Sequence, residues 1–137
     1  MNSLDRNVII GFFVSQAILA GNTLYVSGVL GMDPNAQLVC GGAEAQAAQV
    51  MDNLKHVLEA GGSSLEAVVK TTILLANMDD FQAVNKVYSK YFPKDCPARA
   101  CYQVAKLPLG AAVELEAIAL IKKTNTLAQR ICVANTV

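Results

Sequence analysis

Arg99 stands in an otherwise apolar stretch, Pro97-Ala98-Arg99-Ala100-Cys101-Tyr102-Gln103-Val104, and two glutamates, Glu114 and Glu116, stand in the next, Val113-Glu114-Leu115-Glu116-Ala117-Ile118-Ala119. A guanidinium is a planar fork that grips a carboxylate with two parallel hydrogen bonds, and a glutamate beside a bound acid can move protons. Pro97 opens an extended run, because the residue before a proline is pushed out of helical geometry. Alternation then sets Arg99, Cys101 and Gln103 on one face and Ala98, Ala100, Tyr102 and Val104 on the other. The turn-like segment Lys106-Leu107-Pro108-Leu109-Gly110 predicts neighbouring strands, with Arg99 and a glutamate on a shared sheet face. The same spacing fits an ordinary cross-strand ion pair on a solvated face.

The elements that must position these residues follow from hydrophobic period. Val8–Val14 and Gln16–Leu19 read as strand, and Gly21-Asn22 is a hairpin turn into a strand over Thr23–Leu30. Ala43, Ala47, Val50, Leu54, Val57 and Leu58 form an apolar stripe at helical spacing, so 42–60 is a helix closed by Gly61-Gly62. Val68–Leu75 is β-branched enough for a central strand. A second helix is expected over Asn77–Tyr91, capped by Asn77 or Asp79, with Phe81, Val84, Tyr88 and Tyr91 inward. The order β-β-α-β-α-β-β predicts one α+β domain over residues 1–123, a mixed sheet with two helices on one face. Residues 124–137 have no strong pattern and read as a tail.

Composition removes several function classes. With 137 residues, 53% hydrophobic and only 16% charged, the chain is expected to bury surface against copies of itself. Its eleven basic and eleven acidic residues cancel, and no basic stripe with interleaved aromatics suggests nucleic acid. Cys40, Cys96, Cys101 and Cys132 form no CxxC pair, and the single histidine, His56, lies off the helix stripe, so no metal site is expected. Free thiols point to the cytoplasm, with the mitochondrion as the alternative. Val8–Val14 behind Arg6 is a poor mimic of a signal peptide, and no stretch is long enough to span a membrane. Cys101 has no histidine in view to activate it, and Lys70 reads as a structural or edge lysine.

Several short segments, in one order, carry a resemblance. Leu24-Tyr25-Val26-Ser27-Gly28, Gly31-Met32-Asp33-Pro34, Val69-Lys70-Thr71-Thr72, Asp80-Phe81-Gln82-Ala83-Val84-Asn85, Pro97-Ala98-Arg99 and Glu114-Leu115-Glu116-Ala117-Ile118-Ala119 span most of the chain. Together they resemble the Rid proteins, the reactive intermediate deaminases also known as the YjgF family and often labelled L-PSP endoribonucleases. The resemblance implies the chorismate-mutase-like α+β fold, a homotrimer and active sites in the clefts between subunits. It implies hydrolysis of small 2-imino acids or enamines, of the 2-iminobutanoate/2-iminopropanoate type, to 2-keto acid and ammonia, with no metal or organic cofactor. A ribonuclease or translation-inhibitor role, and a non-catalytic ligand-binding or chaperone-like trimer, are the alternatives.

By the same resemblance Arg99 falls on the carboxylate-binding arginine and Glu114 on the active-site glutamate, with Glu116 the competing choice. Ser27, Gly28 and Asn85 fall on other pocket positions, and Cys101 on a residue whose carbonyl faces the substrate. Backbone groups near Cys101 and a Ser27-Gly28 turn could orient nitrogen and water. One departure stands out. The family carries Gly-Pro-Tyr before the Gln of its first strand, whereas this chain reads Gly11-Phe12-Phe13-Val14-Ser15-Gln16, with Val14 in place of the pocket tyrosine. Phe12 or Phe13 could wall the pocket, but neither supplies a hydroxyl.

Overall fold

Segments that alternate with period two become strands here, and the two that repeat every three to four residues become helices. The computed structural model describes residues 15–121 and 129–131. The strands are β1 (Ala17–Ala20), β2 (Thr23–Leu30), β3 (Val68–Leu75), β4 (Ala98–Gln103), β5 (Val113–Leu120) and β6 (Gln129–Ile131). The helices are α1 (Gly42–Ala60) and α2 (Phe81–Tyr91). The six strands form one mixed sheet in the order β4-β3-β5-β2-β1-β6, antiparallel except where β4 runs parallel to β3. A parallel neighbour requires a crossover, and α2 supplies it.

Both helices lie on one face of the sheet. The α1 stripe of Ala43, Ala47, Val50, Leu54, Val57 and Leu58 packs with Val84, Val87 and Tyr88 of α2. Beneath them are Ile73, Leu75, Val113, Leu115 and Ala117, all buried. The opposite face carries Lys70, Thr72, Glu114 and Glu116, and no described residue covers it. Tyr25, Tyr102 and Leu120 on that face are 49%, 52% and 42% exposed.

The α+β class, the bounds of α1 and β3 and the placement of both helices on one face match the sequence reading. Gly61 and Gly62 close α1 as expected, with Gly61 N–H donating to Val57 O and Gly62 in the left-handed region at φ 79°. The second helix starts later than its spacing suggested. Asn77 Oδ1 accepts from Asp79 N–H at 2.9 Å and caps a short 3₁₀ turn, Met78–Asp80, before α2 begins. Three expectations need correction. β4 and β5 are not neighbours, because β3 lies between them. Residues 104–112 are not a hairpin loop but a connection long enough to carry the chain past β3, roughly two strand spacings of about 4.8 Å. Ser27-Gly28 is not a turn but a bulge inside β2, where the pairing with β5 shifts between Val26 and Val29. From the segment read as a tail, β6 joins the edge of β1. The strand expected over Val8–Val14 lies outside the described residues. No helix among the described residues is long and apolar enough to cross a membrane.

A buried polar residue ties α1 to the end of β2. Asn53, 1% exposed, donates from Nδ2 to Leu30 O and Met32 O at 3.0 Å each, while its Oδ1 accepts from Gln49 Nε2 at 2.8 Å. These bonds fix the chain direction where β2 leaves the sheet. Replacing Asn53 by alanine strands two carbonyls in the interior and is expected to lower stability by about 1–3 kcal/mol. Urea denaturation measures this; a loss below about 0.5 kcal/mol would show that water replaces the amide without penalty.

Candidate functional site

Arg99 points from β4 to the helix side. Strand pairing sets it level with Thr71 of β3, and Thr71 is level with Ala117 of β5, both fully turned toward the helices. Since β4 is the edge strand, Arg99 emerges at the rim of α2 and stays exposed. Three residues of α2 meet it there. Nη1 donates to Asn85 Oδ1 at 2.7 Å, and the guanidinium carbon lies 4.9 Å from the Tyr88 ring centroid and 5.7 Å from that of Phe81. Both rings are within cation–π range. No described carboxylate pairs with Arg99, so most of its donors face solvent.

Cys101, two residues along, shares that side and is half-buried. Burial pushes its thiol pKa up, and Arg99 only partly offsets the effect, so it stays a neutral thiol and a poor nucleophile. Its backbone is better placed for binding. Val104 N–H donates to Leu75 O at 2.9 Å, which turns Tyr102 and Ala100 toward β3. By alternation the peptide groups of Arg99 and Cys101 then face the outer edge, where a ligand can reach them.

Glu114 sits on the other side of the sheet. Pairing sets it level with Leu30 of β2 and Leu74 of β3, and its carboxylate lies directly over Gly28 at the β2 bulge. A Cβ on Gly28 would overlap that carboxylate, so any side chain there would displace Glu114 from this position. Burial raises the Glu114 pKa above the ordinary 4.5, and the neighbouring Glu116 raises it further. Ser27 braces the same bulge: Oγ donates to Ser15 O at 2.6 Å and its N–H to Gln16 O at 2.9 Å. That hydroxyl is committed as a donor and can only accept from a ligand.

The expected site residues therefore fall into two groups. Arg99, Asn85 and Cys101 gather at the β4 rim on the helix side; Glu114, Gly28 and Ser27 gather at the bulge on the bare face. The shared sheet face expected for Arg99 and Glu114 does not exist within one chain, because β3 intervenes and the two strands present opposite parities. Glu116 is exposed and lines, with Lys70, Tyr25 and Ile118, a hollow of about 360 Å³ on the bare face. His56 is exposed on α1, as its position off the stripe implied. Val14, Phe12 and Phe13 lie outside the described residues. Tyr88 and Phe81 were read only as stripe residues; the missed signal is their i, i+7 spacing, with Asn85 at i+4 between them, which lines all three along one side of α2.

The sequence model described as Endoribonuclease L-PSP matches residues 7–121. The chain belongs to that family, the Rid proteins. The human 2-iminobutanoate/2-iminopropanoate deaminase is 47% identical over 129 residues, covering 88% of this chain and 93% of the relative. The goat protein of the same name is 50% identical over the same coverage. Among solved structures, RidA from an Antarctic Psychrobacter superposes with a TM-score of 0.78 at 45% identity, over 82% of this chain and 91% of the other. The matched span of this Rid chain ends at Ile121, so β6 lies beyond it.

The Glu114 environment gives a measurable pH signature. A carboxyl whose folded pKa is raised favours the folded state below about pH 4.5, and this contribution is lost as pH rises through the raised value. Glu114→Gln removes the ionisation. The variant should match wild type in stability near pH 4 and gain on it progressively toward neutrality, read by thermal melts across that range. A constant difference at all pH values would mean that Glu114 is not desolvated.

Proposed function

We propose that this protein hydrolyses small 2-imino acids or their enamines to 2-keto acids and ammonia, using no cofactor, and that its sites form between the subunits of a homotrimer. The observation that carries the reading is an exposed arginine held by Asn85 and two aromatic rings, with no carboxylate paired to it among the described residues. Relatives at 47–50% identity bearing the 2-iminobutanoate/2-iminopropanoate deaminase name support the same chemistry. An unpaired guanidinium beside outward-facing peptide groups is a receptor for a planar carboxylate.

In this reading Arg99 binds the substrate carboxylate, and the edge peptide groups at Cys101 orient the imine nitrogen. Water adds to the imine carbon and forms a C–O bond. Glu114 takes one water proton and returns it to nitrogen, giving a carbinolamine; it then passes the carbinolamine hydroxyl proton to the same nitrogen, the C–N bond breaks, and ammonia leaves as the keto group forms. A glutamate whose carboxyl is pushed up by burial and by Glu116 holds a proton more readily than an exposed one, which suits a two-way relay. Because imines are intrinsically reactive, positioning and one proton shuttle suffice. The opposite parities of Arg99 and Glu114 support a cleft between copies, and the bare face with Tyr25, Tyr102 and Leu120 supplies apolar surface for the contact. Zero net charge and a single, exposed histidine favour this reading over RNA cleavage. Free Cys40, Cys96 and Cys101 favour a reducing compartment, cytoplasmic or mitochondrial.

The test generates 2-iminobutanoate in situ with an amino-acid oxidase and traps surviving imine with semicarbazide. Wild type should consume imine faster than solvent does, and Arg99→Ala and Arg99→Lys should fall to the solvent rate with unchanged melting temperature. Equal rates for wild type and Arg99→Ala would sink the assignment. For the shared site, Arg99→Ala and Glu114→Gln protomers, each inactive alone, are refolded together. Mixed trimers should regain about a quarter of the wild-type rate, since a site can then draw Arg99 from one chain and Glu114 from another. No recovery would place both residues in the same subunit's site.

A further inference from the structure

Arg99 could rotate freely if only Asn85 held it, because a single hydrogen bond at one nitrogen leaves the plane of the fork undefined. The Tyr88 ring removes that freedom. It is 6% exposed, packs against Phe92 with centroids 4.7 Å apart, and stands 4.9 Å from the guanidinium carbon. Its hydroxyl is paired with Thr71 Oγ1 at 2.8 Å, and Thr71 is completely buried in the strand that neighbours β4. The ring is therefore fixed at both ends, by the core at its body and by β3 at its tip. Thr71 is also the residue in register with Arg99, so one strand position sets both the arginine's backbone and the surface beneath its head.

We propose that Tyr88, anchored by Thr71, is a positioning residue that orients the Arg99 guanidinium as a carboxylate receptor and so sets the site's preference for acids over neutral analogues. The inference rests on the carboxylate-binding reading of Arg99 and goes beyond it in naming the device that creates the selectivity. Tyr88 does not touch the ligand. It acts through Arg99, by holding the cation in one plane while Asn85 occupies one of its hydrogens, so that the remaining donors stay presented to the edge of β4. A guanidinium released from the ring would spread over several rotamers and lose bidentate geometry more than it loses charge.

The test compares binding of 2-oxobutanoate and of its neutral amide, 2-oxobutanamide, to wild type, Tyr88→Leu and Tyr88→Phe by calorimetry. The Arg99 Nε–H signal is followed alongside by nitrogen–proton NMR. Tyr88→Leu should weaken the acid roughly tenfold while leaving the amide within about twofold, and should broaden or shift the Arg99 signal. Tyr88→Phe, which keeps the ring but cuts its tie to Thr71, should fall between wild type and Tyr88→Leu, with a smaller loss of acid affinity and a smaller shift of the Arg99 signal than the leucine variant. If acid and amide weaken in parallel, Tyr88 serves only the fold and the proposal fails. If Tyr88→Leu leaves both affinities and the Arg99 signal unchanged, it also fails. If wild type binds acid and amide equally, or neither, the carboxylate reading of Arg99 falls and this inference with it. Should Tyr88→Leu not fold, Thr71→Val tests the same anchor: the Arg99 signal should shift and the acid-to-amide ratio fall, and no change in either would overturn the proposal.

Discussion

Successive side chains of a strand must point to opposite faces of its sheet, and that constraint governs this molecule. The parallel placement of β4 outside β3 sends Arg99 to the helix side, while β5, running antiparallel on the other flank of β3, sends Glu114 to the bare side. Everything that supports each group is built separately. The arginine depends on α2 and on Thr71. The glutamate depends on the bulge of β2, whose glycine leaves room for a carboxylate, and on the Ser27 bond that holds the strand's entry.

Polar residues in the interior do the locating that apolar packing cannot. The α1 stripe fixes which face of the helix meets the sheet but leaves it free to slide along its axis. Asn53 removes that freedom through Leu30 O and Met32 O, and Gln46 Oε1 adds a bond to Ala112 N–H at 2.9 Å. One helix thereby sets both the exit of β2 and the entry of β5, the two strands that carry the Gly28–Glu114 contact. An apolar core is tolerant of small shifts; a buried amide with two fixed acceptors is not.

The elements were largely legible in the sequence because each rests on a local signal. Period 3.6 ended by Gly61-Gly62 defined α1, and a β-branched run defined β3. The neighbourhood of strands was not legible. Val104–Ala112 has the turn chemistry of a hairpin, and nothing local distinguishes a loop that returns beside its own strand from one that steps across another. For the same reason the placement of Arg99 and Glu114 on one sheet face was misread. Ser27-Gly28 looked like a turn because glycine serves bulges and turns alike. Tyr88 looked like core because it is core. The second role proposed for it depends on Arg99 arriving from a strand eleven residues away by way of a parallel crossover.

The two margins of the sheet differ in length and character. One ends in β6, three residues long, laid against β1; so short a strand offers little template for another chain. The other ends in β4, six residues long, with the peptide groups of Arg99 and Cys101 turned outward. Backbone pairing with any incoming strand is thus steered to a single margin, and there the incoming strand would compete with the ligand for the same donors and acceptors. If β4 carries the proposed site, a bound acid and an incoming strand would exclude each other, so occupancy of that site would guard the longer exposed edge.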